Sequence, residues 1–209
     1  MSRLTTGAPG ELVFETRDAV LGDLALTVLD VDDEADLGTV HDWVTKPWAA
    51  FWGLGDHTRE ELREVYRYVD SLPSHHAFLL RREGEPIALV QTYEPEHDPV
   101  GEHYDVRTGD VGAHFFLGGR GAPAPGFTTR VLLALTAFAF AQPDAERIVV
   151  EPDVGNDRAL RRMSAFGFRL GPVIDLGHKT AQLAFLDRHA YEERLGLTAR
   201  SVRPVHARA

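Results

Sequence analysis

Apolar positions along this chain recur with two periods, and the switches between them mark its elements. "LALTVLDV", Leu24 to Val31, alternates as a strand, and "DEADLGTVHDWV" then turns to helical spacing, with Leu37, Val40, His41 and Val44 on one face. Thr58 followed by Glu61 forms a capping-box signature, and Leu62, Val65, Val69 and Leu72 continue it as a helix. "HAFLLRREGEPIALVQTYEP" reads as two apolar strands joined by a Glu-Gly turn, and "DVGAHFFLG" as a further strand. "GFTTRVLLALTAFAFAQ" predicts a buried helix, and "RIVVE" a short strand at a sheet centre. A helix with Leu160, Met163 and Phe166 or Gly167 on its packing side follows, then two strands around a His178-Lys179 turn.

The order is β-α-α-β-β-β-α-β-α-β-β, which predicts an α+β domain. Its sheet is mixed and mostly antiparallel, with about seven strands and about four helices. The helix between "DVGAHFFLG" and "RIVVE" is a crossover, so those two strands are expected side by side and parallel. Residues 1–20 read as an N-terminal extension, 21–195 as the domain, and 196–209 as a flexible basic tail.

Composition narrows the class. The 209 residues are 44% hydrophobic and 26% charged, as in an ordinary globular chain, and no run is apolar for long enough to span a membrane. No signal-peptide pattern opens the sequence, and the absence of cysteine excludes disulfides and thiolate chemistry, so a cytoplasmic location is expected. A net charge of −10 argues against nucleic acid as a partner while leaving room for a small anion at a local basic cluster. The histidines show no defensible ligand spacing, so no metal is expected. Monomer and homodimer remain equally open.

Candidate chemistry converges on the parallel pair. In "DVGAHFF" the alternation puts Gly112, His114 and Phe116 on one face, with His114 near the C-terminal end of its strand. Alone, such a histidine is more often a core residue bonded to a neighbour. Glu151 ends the next strand at the equivalent height, where a plain turn carboxylate is the alternative. Between them "LGGRGAPAPGFTTRV" enters a helix, so its amides and the helix's positive end can face a phosphate, assisted by Arg120 and Arg130. Acidic and aromatic residues fill "YEPEHDPVGEHYDVRTGD", where Tyr104 and Asp105 are candidates for meeting a cationic amine. Trp48 and Trp52 in "KPWAAFWG" either wall a channel or cap the core, and Asn156 either meets a ligand or caps the following helix.

The element order resembles that of the GNAT superfamily of acyl-CoA-dependent N-acyltransferases. More narrowly, "GDVGAHFFLG", "RIVVEPDVGNDRALRRMSAFGF" and "LGHKTAQLAFLDR" resemble the hydroxamate-siderophore acyltransferases, over about Leu21 to Arg194. The resemblance implies splayed fourth and fifth strands that admit an acyl thioester, with acetyl-CoA or another acyl-CoA as co-substrate. It implies His114 as general base assisted by Glu151. Phe116, Leu117, Gly119, Arg120, Gly121, Gly126, Phe127, Thr128, Asn156 and Arg158 are then expected to hold the coenzyme. Trp48, Trp52, Tyr93, Tyr104, Asp105 and Lys179 are expected around a hydroxylated diamine or lysine acceptor. Some relatives carry Asp where this chain has Glu151. The implied acceptors are N6-hydroxylysine, N-hydroxycadaverine or lysine, with acetyl, succinyl or longer acyl donors. An unrelated amine acetyltransferase and a non-catalytic acyl-CoA-binding descendant of the fold are the other readings.

Overall fold

The computed structural model describes residues 4–119, 124–198 and 202–204. Nine strands form one sheet: β1 Leu12–Asp18, β2 Gly22–Val28, β3 His75–Arg82, β4 Glu85–Tyr93, β5 Asp110–Leu117, β6 Arg147–Val150, β7 Arg169–Asp175, β8 Thr180–Asp187 and β9 Val202–Pro204. Their spatial order is β7-β8-β6-β5-β4-β3-β2-β1-β9. Every neighbouring pair is antiparallel except β5 and β6, which run parallel as expected. The helices are α1 Glu34–Val44, α2 Arg59–Ser71, α3 Phe127–Ala141, α4 Asp157–Phe166 and α5 Arg188–Thr198.

Local chemistry accounts for most of these elements. Thr58 and Glu61 make the reciprocal capping box that starts α2, with Thr58 N–H donating to Glu61 at 2.8 Å and Glu61 N–H donating to Thr58 Oγ1 at 3.3 Å. The β3–β4 hairpin turns on Glu83 and Gly84, both at positive φ (49° and 86°), as a two-residue type I′ connection requires. Asn156 accepts from Ala159 N–H at 3.1 Å and so caps α4. All four residues of β6 are buried, as suits a strand covered on both faces.

Two layers of helix sandwich the sheet. On one side α3, α4 and α5 pack Leu132, Phe140, Met163, Phe166 and Tyr191 against Val111, Ile148 and Val150. On the other, α1 and α2 set Leu37, Val40, Leu62 and Tyr66 on Leu79, Leu89 and Phe116. That second cover stops short of β6 and β8, where Tyr93, Val100, Val149 and Phe185 form a separate cluster beneath the loop after β4. A seam between the two covers therefore lies over β4 and β5, and the side chain of His114 emerges into it.

The expected strand and helix counts fall short at the ends of the chain. The stretch read as an extension contains β1, which pairs with β2 on one side and β9 on the other, and α5 follows β8. The periodic signal of β1 is obscured because its buried side chains are the polar Thr16 and Asp18. Of the expected tail, Val202–Pro204 pair with β1, while 199–201 and 205–209 lie outside the described residues. In α2 the innermost residue after Leu62 is Tyr66, which the aliphatic spacing passed over.

Candidate active site

β5 and β6 hold together over three residue pairs only: Asp110 with Arg147, Val111 with Ile148, and Gly112 with Val149. Past that point β5 continues to Leu117 against β4 alone, while the chain after β6 turns toward β8. There Gln182 N–H donates to Pro152 O at 2.9 Å, and Asp153 bridges to Ala181. The strands thus diverge in a V, leaving the outer edge of Ala113–Leu117 without a strand partner among the described residues.

At the closed end, Arg147 donates from Nε and Nη2 to the two oxygens of Asp110, both at 2.7 Å, and both side chains are buried. At the open end stand His114 and Glu151, two side-chain repeats further along the same sheet face. His114 Nε2 is in direct contact with Glu151 Oε1. Tyr93 Oη donates to Glu151 Oε2 at 2.9 Å, and Lys179 Nζ donates to Glu151 Oε1 and to its backbone carbonyl, each at 3.1 Å. Gly112 makes room for the Tyr93 ring: a Cβ there would sit 2.2 Å from it. Gln91 lies directly opposite His114 across β4–β5, with its Oε1 3.3 Å from Nδ1.

Burial alone would raise the Glu151 carboxyl. The neighbouring charges and hydrogen bonds of His114 and Lys179 outweigh it and bring the group from an ordinary 4.5 down to about 2. Tyr93 shifts the other way, well above its usual value, because it is buried and bonded to a carboxylate. With Glu151 ionised at every physiological pH, Nε2 of the imidazole carries its proton toward the carboxylate. Nδ1 is then the nitrogen not held by Glu151. Gln91 stands opposite it: its carbonyl there matches a protonated Nδ1, and its amide NH2 there matches an unprotonated one.

The Glu151 shift is also a statement about stability. The folded pKa lies below the ordinary value, so the ionised carboxylate stabilises the fold above pH 4.5, and that increment is lost as pH falls toward about 2. From 4.5 to about 2 is about 2.5 units, worth about 3 kcal/mol. Urea titrations across this window should show that loss in the wild type, and Glu151→Gln should show a shallower slope. Parallel slopes would mean the carboxylate gains nothing from its partners.

Other expected residues distribute around this centre. Trp52 presents its ring edge to His114 (centroids 6.4 Å apart) and packs on Phe116 at 5.6 Å, so it walls the site. Trp48, on the same short turn Pro47–Trp52, is exposed to solvent. Tyr104 lies deeper in the V: its hydroxyl donates to Asp110 at 3.0 Å and its ring packs on Phe185, while Asp105 offers its carbonyl to Arg147. Arg130, read as a phosphate contact, is instead ion-paired with the buried Asp18 at 2.8 Å. Asn156 is occupied as the α4 cap, and Arg158 is exposed on its first turn. Arg120 and Gly121 lie outside the described residues.

The remaining coenzyme residues suit a thioester with a phosphate-bearing tail. Phe116 and Leu117 line the unpaired strand edge, and the close approach of Trp43 to Gly118 and of Pro86 to Gly119 turns the chain away after β5. Gly126 opens α3 at a φ of 67° with no side chain capping the helix, so the first-turn amides at Phe127 and Thr128 present a positive end.

Gln91 and a second histidine escaped the sequence reading. His75 stacks on Tyr93 at 5.7 Å and contacts Asp98 at 3.2 Å, which extends the buried network behind Glu151. Both depend on cross-strand register, which no local motif announces. Among the described residues, Glu94, Glu96 and His97 bring three ligand-type atoms within 4.8 Å of one another on the turn after β4. The His97 contacts to Glu94 (3.5 Å) and Glu96 (3.9 Å) account for that grouping.

A sheet opened between two parallel strands, with a histidine–carboxylate pair at the fork, is what the resemblance to acyl-CoA-dependent acyltransferases implied. The comparisons agree: residues 32–176 match the family described as the acetyltransferase (GNAT) domain, and the chain belongs to that family. It is 26% identical over 159 residues to the N(6)-hydroxylysine O-acetyltransferase of Escherichia coli, covering 74% of this chain and 50% of that protein. The chain thus spans about half the length of that relative. It is 24% identical to the aminoglycoside N(6')-acetyltransferase type 1 of Klebsiella pneumoniae, over 76% of this chain and 82% of that one. A solved aminoglycoside acetyltransferase in complex with coenzyme A shares the fold, with a TM-score of 0.69 at 23% identity over 81% and 98% of the two chains. No helix among the described residues is long and apolar enough to cross a membrane.

Proposed function

We propose that this chain transfers an acetyl or other short acyl group from acyl-CoA to the hydroxylamine nitrogen of N6-hydroxylysine, a step of hydroxamate-siderophore biosynthesis in the cytoplasm. The observation that carries the reading is the His114–Glu151 pair at the fork of β5 and β6, facing a seam walled by Trp52. The nitrogen attacks the thioester carbonyl, a C–N bond forms and the C–S bond breaks. The nitrogen's proton passes to His114 Nδ1, and the departing thiolate takes up a proton as CoA. Glu151 orients the ring and stabilises the imidazolium that forms, as a carboxylate partner does for a catalytic histidine. The similarity to the hydroxylysine enzyme of E. coli supports the acceptor.

A second reading is a small-molecule amine acetyltransferase of the aminoglycoside type, favoured by the fuller coverage of that relative. The two separate in a thiol-release assay with an acyl-CoA panel against N6-hydroxylysine, lysine, N-hydroxycadaverine and an aminoglycoside. N-acylation of the hydroxylamine yields a hydroxamate that colours with ferric iron, whereas O-acylation does not. Turnover of N6-hydroxylysine with a ferric-positive product is the expected result. Turnover confined to the aminoglycoside would overturn the proposal, and a ferric-negative product would move the acyl group to oxygen.

A further inference from the structure

Lys179 stands where a substrate ammonium would be expected to stand. Its Nζ bonds Glu151 Oε1 and the Glu151 carbonyl, both at 3.1 Å, from the turn between β7 and β8. Oε1 also meets His114, and Oε2 is taken by Tyr93. The Glu151 side chain is 1% exposed and both its oxygens already have partners, so an incoming cation meets no open face of the carboxylate. A protonated amine reaching His114 would have to displace Lys179 from a buried carboxylate or lie beside its positive charge. A neutral nucleophile meets neither cost.

From this we infer that Lys179 is a charge-selecting residue: it occupies the ammonium position against Glu151 and so reserves the site for acceptors that are uncharged at the reacting nitrogen. The inference deepens the proposed function and rests on its placing of acyl transfer at His114. An alkylhydroxylamine fits it, because the attached oxygen withdraws electrons and leaves the nitrogen largely unprotonated at neutral pH. A primary alkylamine, with a reference pKa of ~10.4 for the lysine case, does not. The group is a compact ammonium in a chain that has only one other lysine, Lys46, and otherwise uses arginine. It therefore copies the shape of the excluded ligand more closely than a guanidinium would. Selectivity of this kind is repulsion against the wrong partner rather than added attraction for the right one.

The test uses a matched pair, n-butylamine and N-butylhydroxylamine, with binding to the full chain measured calorimetrically at pH 7.5 in the presence of CoA. Steady-state kinetics on lysine and N6-hydroxylysine accompany it. Wild type should bind the neutral member at least ~10-fold more tightly, and Lys179→Met should shrink or invert that ratio by roughly 10- to 100-fold, as expected for removing one charge at contact distance. Lys179→Arg, which keeps the charge, should retain the preference. An unchanged ratio in Lys179→Met overturns the inference. Equal affinities in wild type, or no binding of the neutral member at millimolar concentration, overturn it without any variant. The two proposals fail separately: loss of hydroxamate formation with the charge preference intact sinks the acceptor assignment alone, and hydroxamate formation without a charge preference sinks the role of Lys179 alone.

Discussion

Replacing His114 with alanine is expected to lower kcat by about 10²- to 10⁴-fold, the usual worth of a positioned general base, while CoA binding stays within about twofold. The reason is positional. His114 sits beyond the last β5–β6 residue pair, with one ring nitrogen held by Glu151 and the other turned toward Gln91 and the seam. The residues proposed for the coenzyme lie along the β5 edge and at the start of α3, away from the imidazole. Single-turnover kinetics together with a CoA titration read the two effects apart. A kcat within about threefold of wild type would transfer the proton to another group and remove the base assigned here.

The largest expected effect on stability lies at the other end of the same fork. Asp110→Asn should cost about 3–5 kcal/mol, because it leaves the Arg147 guanidinium buried without its counter-charge. The Asp110 carboxylate collects Arg147 at 2.7 Å on each oxygen, Tyr104 at 3.0 Å and the Arg107 amide at 2.9 Å, with no exposed surface of its own. The guanidinium in turn lies over the rings of Phe185 (4.8 Å) and Tyr104 (5.6 Å), which largely shield it from water. This cluster locks the first residue pair of the parallel ladder and so sets how far apart the strands stand at His114. The paired replacement Asp110→Leu with Arg147→Met removes both charges and should cost less than the single variant. Chemical denaturation of the three proteins decides the matter: a single variant within about 0.5 kcal/mol of wild type would show that the pair is not what holds the fork closed.

Much of this arrangement was open to reading along the chain. The capping box at Thr58, the Glu83-Gly84 turn and the crossover helix between β5 and β6 each carry their signal within a few residues, and each was found where expected. His114 and Glu151 were legible for a related reason: each lies two residues past the last residue pair of the predicted parallel strands, on the same face. Strand β1 was not legible, since an ion pair between Asp18 and Arg130, distant in sequence, lets a polar residue take the buried side. The same pairing gives Arg130 a partner within the protein.

What the sequence determined by itself is the α+β order, the parallel pair and the presence of a histidine and a carboxylate at its ends, because these depend on period, capping and turn chemistry over short spans. Only the tertiary structure decided what the carboxylate touches. Register across β4 and β5 sets Tyr93 and Gln91 opposite Gly112 and His114, and the β7–β8 turn returns Lys179 to Glu151 from 28 positions further along the chain. Burial then turns those contacts into a chemical state, an anion saturated by its own protein, because a charge in a dry site must be satisfied by whatever the fold places beside it.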